Sequence, residues 1–161
     1  MILAVDVGNS NTTVGLFNGT GELLFRALLE TSRSKTRDQC AIELLGVFQL
    51  YGADACTVDG AILSSVVPPL TTIFTDAIAR LTGIPPMVVG PGIRTGLNIK
   101  AEIHNQLGSD IVASSVAAIA KYPSPIVMVD MGTATSLSLI VGSVYEGCII
   151  MPGLALALDA L

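Results

Sequence analysis

Residues 4–16, AVDVGNSNTTVGL, set a carboxylate at the end of an apolar run, turn through small polar residues, and resume as a second strand-like run from Thr12 to Phe17. The same order returns at residues 128–140, MVDMGTATSLSLI, where Asp130, Gly132 and hydroxyl residues precede another strand. A strand–Asp–turn–strand unit that occurs twice constrains the chain to two copies of one supersecondary element. Each turn has the composition of a nest, in which consecutive backbone N–H groups converge on an anion such as phosphate. Gly8 and Gly132 let the backbone come close, and Asn9, Ser10, Asn11, Thr133 and Thr135 add short polar groups. A carboxylate beside a phosphate repels it unless a cation lies between, and Mg2+ suits that place because it takes oxygen ligands and keeps several waters. Asp6 and Asp130 are therefore candidate metal carboxylates, with the two turns gripping a nucleotide–Mg2+ from both sides. A single copy reads equally well as an ordinary hairpin, and it is the recurrence that weighs against that alternative. Neither G-x-x-x-x-G-K-[ST] nor a G-x-G-x-x-G following a strand occurs, so P-loop and Rossmann enzymes lose support.

The order of elements around these units sets the fold class. Met1–Val7, Thr12–Phe17 and Leu23–Leu29 read as a three-strand meander, with Asn18-Gly19 a strong hairpin signal. Thr36 caps a helix with Gln39 at the third position, and Ala41, Leu44, Leu45, Phe48 and Tyr51 follow at helical spacing. Val58–Leu63 reads as a buried strand, SSVVPPL as the loop after it, residues 70–81 as a helix, and Met87–Val89 as a further strand. An apolar stripe over Ile111, Val112, Ser115, Val116 and Ile119 marks another helix; Ile126–Asp130 opens the second unit and residues 141–147 form a hairpin turn. Three antiparallel strands followed by alternating helix and strand is the order of a ribonuclease H-like domain. The expected architecture is thus α/β, with a complete first domain over residues 1–120 and the start of a second over 121–161, the two facing each other. The final stretch, MPGLALALDAL, reads as a helix just begun and without a C-terminal cap, which leads to the expectation of a truncated chain.

Composition narrows the partners. Apolar residues make up 51% of the 161 and charged residues only 13%, with a mean hydropathy of +0.70. Yet no uncharged apolar run is long enough to span a bilayer, since Asp130, Gly132, Pro68-Pro69 and Pro85-Pro86 interrupt the richest tracts. The excess apolarity therefore points to surface covered by a partner or by further chain. A net charge of −5 without a basic run argues against nucleic acid. Cys40, Cys56 and Cys148 have no metal spacing and read as small core residues of a reducing, cytoplasmic environment.

Asp110, in LGSDIVASSVAAIA, falls in the first turn of a helix, where the dipole favours its charge. Simple capping is one reading. The other is a general base that draws the proton from a substrate hydroxyl as a phosphoryl group arrives. The lone His104 stands in a polar loop and takes a structural or solvent role.

Together DVGNSNTTVGLF, GPGIRTGLNI, LGSD, VDMGTATS and EGCIIMPGLALALDAL resemble the type III pantothenate kinase family, within the superfamily of acetate and sugar kinases, heat-shock ATPases and actin. The resemblance spans the whole chain in the right order. It implies two ribonuclease H-like domains per subunit, a homodimer, and transfer of the γ-phosphoryl of ATP to pantothenate, the first step toward coenzyme A, with Mg2+ and a monovalent cation, K+ or NH4+. It makes Asp6 and Asp130 the residues serving metal and phosphates, Gly8–Asn11 and Gly132–Thr135 the phosphate loops, Asp110 the base, and Gly108, Ser109, Asp110 and the position of Ala101 the substrate site. Family members continue beyond the matched segment through the rest of the second domain.

Three positions depart from the family pattern. Gly108-Ser109-Asp110-Ile111 stands where the family has Gly-Ala-Asp-Arg, Ala101 where it has Tyr, and Ser138 where an Asp is common. Phosphate-handling groups are kept while substrate-handling groups are not. The readings that follow are a kinase of this family, a catalytically weak or non-catalytic nucleotide-binding relative with a regulatory role or another hydroxyl substrate, and a hydrolase or actin-like ATPase, which GPGIRTGLNI disfavours.

Overall fold

The computed structural model describes residues 1–90, 93–99 and 107–160. Ala101 and His104 lie outside these residues, as does part of the glycine-rich segment that begins at Gly90. The chain divides into two compact units, Met1–Pro91 and Gly92–Leu161.

The first unit is built on a mixed sheet of β1 (Ile2–Val7), β2 (Asn11–Phe17), β3 (Leu23–Glu30), β4 (Gly60–Ser65) and β5 (Met87–Val88), in the order β3-β2-β1-β4-β5. β1, β2 and β3 pair antiparallel as the expected meander, while β4 pairs parallel to β1 and β5 parallel to β4. Leu3, Val5 and Val7 alternate toward one face, where they meet Val14, Leu16 and Phe25 and the helices α1 (Arg37–Leu50) and α2 (Pro68–Thr82). Phe25 meets the edge of Phe48 at a centroid distance of 5.7 Å and stacks on Tyr51 at 4.7 Å, a geometry suited to the ring quadrupoles.

Thr36 caps α1 through a complete capping box: its hydroxyl accepts from the Gln39 amide, and the Gln39 side chain accepts from the Thr36 amide at 2.8 Å. The buried side of α1 is Cys40, Leu44, Val47 and Phe48; of the stripe read from spacing, Leu44 and Phe48 lie on it, Ala41 packs against it, and Leu45 and Tyr51 are exposed. The two sets share Leu44 and Phe48, and the Phe48 contact with Phe25 fixes which side faces the sheet. Pro68-Pro69 belongs to the first turn of α2 instead of the preceding loop, because the N–H that proline lacks has no helical partner at that position. Asp54 caps a single 3-10 turn over Ala55–Thr57, which pushes β4 two residues beyond its expected start.

The turn between β2 and β3 is closed on itself. The Asn18 side chain accepts from the amides of Thr20 at 3.0 Å and Glu22 at 2.9 Å, and Gly21 takes the left-handed φ of 82° that spares it a Cβ penalty.

The second unit repeats the meander. β7 (Ile126–Met131), β8 (Ala134–Val141) and β9 (Val144–Pro152) pair antiparallel, and β6 (Asn98–Ile99), not foreseen from sequence, adds parallel to β9. α3 (Ser109–Lys121) covers one face, packing Ile111, Ala118 and Ile119 against Ile126, Met128, Ile140 and Tyr145. The helix thus belongs to this unit by contact, although the boundary drawn from sequence, 120/121, left it with the first. The opposite face carries Val127, Val129, Met131, Leu139 and Ile149, all exposed. The short α4 (Leu154–Asp159) ends the described chain, with Leu154, Leu156 and Leu158 exposed. Among the described residues no helix is long and apolar enough to cross a membrane. Of the three thiols only Cys40 is buried, which pushes its pKa up; Cys56 and Cys148 are exposed, against the expectation of three core cysteines.

Candidate functional site

In the first unit β1 delivers Asp6 to the face opposite the helices, because Val5 and Val7 on either side of it point into the core. Asp6 is exposed and lies in register with Thr13 on β2 and with the buried Ser64 on β4. The chain then turns over Gly8–Ser10, and the Gly8 amide donates to the Asn11 carbonyl at 3.0 Å. A Cβ on Gly8 would stand only 3.0 Å from that same carbonyl oxygen, so any side chain there would press on the turn. Asp6, Gly8, Asn9, Ser10 and Asn11 are thus brought together at one end of the sheet.

A second loop is stapled to this turn. The Thr31 amide donates to the Ser10 carbonyl at 3.0 Å, and the Thr31 hydroxyl lies 2.8 Å from that of the buried Thr12. Sequence reading missed this pair; its only trace was a Thr near each of two strand ends.

In the second unit Asp130 pairs with Ser136 and Met131 with Thr135, and the Gly132 amide donates to the Ala134 carbonyl at 2.9 Å. This turn is one residue shorter than its counterpart, but its construction matches: Asp at the penultimate position of the strand, then a glycine amide turned back on a carbonyl of the next strand. Gly153 closes on it from beyond β9, donating its amide to the Thr133 carbonyl at 3.1 Å. A methyl group on Gly153 would overlap the carbonyl oxygens of both Gly132 and Thr133. The pair Pro152-Gly153 was a signal in the sequence, and its partner was not.

Gly108 is the N-cap of α3 and supplies no side chain, so Asp110 is a first-turn residue rather than the cap. One Asp110 carboxylate oxygen accepts from the Ile111 amide at 2.7 Å, meeting one of the amides that a helix start leaves unpaired. By strand alternation Asp130 lies on the side of the sheet that Ile126 and Met128 present to α3. Gly108, Ser109 and Asp110 therefore stand on the helix that covers the side to which Asp130 belongs. Ile111 packs into the cluster with Ala118, Ile126, Ile140 and Tyr145, and offers no donor to a ligand.

Beneath α3 the hydroxyls of Ser138 and Tyr145 lie 2.8 Å apart, both buried. Burial pushes the Tyr145 phenol up to about 12, with Cys148 and Asp110 acting in the same direction and the bond from Ser138 opposing them. Taken separately, the Asp6 and Asp130 carboxylates each offer the kind of oxygen donor that Mg2+ takes. A monovalent cation finds less at Ser138, whose neutral hydroxyl is already bonded to Tyr145.

The sequence profile of the type III pantothenate kinase family matches residues 2–161. The chain belongs to that family. Type III pantothenate kinases of Listeria monocytogenes and Halalkalibacterium halodurans are each 40% identical to it, over all of this chain and 62% and 63% of their own lengths. The chain therefore spans less than two thirds of the relatives it matches. The solved type II variant of the Aquifex aeolicus Ppx/GppA phosphatase superposes with a TM-score of 0.54 at 15% identity, over 99% of this chain and 54% of that one. That likeness, with the paired mixed sheets, establishes the α/β fold as ribonuclease H-like, of the actin-like ATPase kind, in agreement with the element order read from sequence.

Proposed function

We propose that the chain carries the nucleotide-handling part of an ATP-dependent kinase that phosphorylates the hydroxyl of pantothenate, the first step of coenzyme A biosynthesis. The supporting observation is the paired construction of the two turns, each an exposed Asp followed by a glycine amide folded back on a carbonyl. In this reading Gly8–Asn11 and Gly132–Thr135 hold phosphate oxygens, and Asp6 and Asp130 hold Mg2+ through water. The bound ion neutralises phosphate charge. Asp110 accepts the proton as the substrate oxygen bonds to the γ-phosphorus and the bond from that phosphorus to the bridging oxygen of ADP breaks. Gly108, Ser109 and the position of Ala101 border the substrate. Two ribonuclease H-like domains, a homodimer, a cytoplasmic setting and a requirement for K+ or NH4+ belong to the same proposal.

A second reading has its own observation. Ile111 packs into the interior where the family pattern has Arg, and a carboxylate-bearing substrate is best held by that fork of donors. Loss of one charge-assisted contact costs about 1.5 to 3 kcal/mol, roughly ten- to a hundredfold in affinity. A nucleotide-binding relative acting weakly on pantothenate, on another hydroxyl compound, or in regulation would fit that packing.

Calorimetry with Mg·ATP, beside an ADP-release assay with and without pantothenate, tests both. Asp6→Ala is expected to abolish Mg·ATP binding, and unchanged affinity would sink the nucleotide site. ADP release that does not respond to pantothenate would leave the second reading in place of the first.

A further inference from the structure

Of the eight Lys and Arg in the chain, three fall between residues 33 and 37. Two of them are already engaged: Lys35 pairs with Glu43 at 2.9 Å and Arg37 with Asp38 at 3.4 Å. The third, Arg33, is exposed and its guanidinium has no hydrogen-bond or ion-pair partner among the described residues. Its place in the chain is fixed from both sides. Two residues upstream, Thr31 is tied to Ser10 and Thr12 of the first turn by the 3.0 Å and 2.8 Å bonds described above. Two residues downstream, Lys35 is anchored to the Glu30 carbonyl and Glu43. Two residues span at most roughly 7 Å, so a side chain of arginine's length starts within reach of the anion-facing end of Gly8–Asn11.

We infer that Arg33 is the phosphate-contacting cation of this site, closing over the polyphosphate from the β3–α1 loop while the turn holds it from below. Three features carry the assignment. The loop is stapled to the turn and not merely near it. The two neighbouring cations, Lys35 in the loop and Arg37 at the start of α1, are paired, which singles out Arg33. The turn's own residues supply amides and short polar groups but no positive charge, and phosphate oxygens are bound best where a planar fork of donors adds charge to geometry. The inference rests on the nucleotide reading above and adds to it a residue outside both glycine turns.

The test is calorimetry on the intact protein with two probes, Mg·ATP and magnesium tripolyphosphate, the second lacking base and sugar. Arg33→Gln is expected to weaken both roughly ten- to a hundredfold, with unchanged melting temperature because the side chain is exposed and unpaired among the described residues. Arg33→Lys is expected to keep part of that affinity, and the gap between wild type and Arg33→Gln narrows as salt is raised. Arg37→Gln, at the start of α1 and already paired, is expected to bind as wild type does. Equal binding by Arg33→Gln, or an equal loss in Arg37→Gln, overturns the assignment while leaving the nucleotide site standing. A wild-type protein that binds neither probe overturns the nucleotide reading itself and the role of Arg33 with it.

Discussion

The Ser138 and Tyr145 hydroxyls meet at 2.8 Å in the interior beneath α3, joining adjacent strands β8 and β9 just beyond the shift in register between Leu139 and Ile140. Each satisfies the other, so removing one alone strands its partner in a place without water.

Tyr145→Phe and Ser138→Ala are each expected to destabilise the protein by about 1 to 3 kcal/mol, the cost of leaving a buried hydroxyl unpaired. The double variant should cost less than the sum, because both partners then leave together. Urea unfolding of all three variants measures this; strict additivity would show that the hydroxyls do not interact.

Tyr145 also makes stability pH-dependent in a defined window. Its folded pKa, about 12, lies above the free phenol's value of about 10. Between these values the unfolded chain has released a proton that the folded protein still holds, so stability present below pH 10 is lost as pH rises toward 12. Absorbance at 295 nm is expected to rise near pH 12 in the wild type, and Tyr145→Phe should lack that rise.

Gly153→Ala is expected to cost about 1 to 3 kcal/mol, as overpacking does, and to move the amide resonances of Gly132 and Thr133 more than any others. Gly90→Ala, at a glycine where a Cβ would meet nothing within 4 Å, serves as the comparison. A melting temperature for Gly153→Ala equal to that of the comparison would show that the close approach is not needed.

Ser115 lies fully buried on α3, and its hydroxyl has no hydrogen-bond partner among the described residues. Ser115→Ala removes a desolvated polar group and gains helix propensity. It is expected to raise stability by about 0.5 to 2 kcal/mol, read as a higher urea midpoint.

Ile111→Arg sets function against packing. A guanidinium in place of a side chain packed on Ala118 and Tyr145 is expected to lower stability by on the order of 1 to 2 kcal/mol while tightening pantothenate binding. Thermal melts with and without pantothenate report the two effects separately, and no ligand-dependent gain would exclude the position from the substrate site.

What the sequence disclosed follows the reach of each signal. The meander of β1 to β3, the capping box at Thr36 and the two Asp–turn units depend on residues close together in the chain, and spacing alone reveals them. On α1, Leu44 and Phe48 were legible as buried, while the burial of Cys40 and Val47 in place of Leu45 depends on packing against another element. Pro68-Pro69 signals a loop in isolation and a helix start once α2 follows. The Thr12–Thr31, Ser138–Tyr145 and Gly153–Gly132 relationships join segments whose pairing is set by sheet register, so no local pattern announces them. The turn positions of Asp6 and Asp130 were legible because each unit lies within one short stretch of chain. Arg33 was not, since a basic residue in a loop looks the same whether or not a staple holds that loop.

The self-contained turn at Asn18 has a practical consequence. Its side chain bonds to Thr20 and Glu22 of its own loop, through their amides, the Thr20 hydroxyl and the Glu22 carboxylate, at the end of the sheet remote from Gly8–Asn11. Such an isolated, exposed tip is where a chain best accepts foreign residues. A fluorophore or short epitope placed at Gly19 would report on the protein from a position that neither the Gly8–Asn11 turn nor the core has reason to feel.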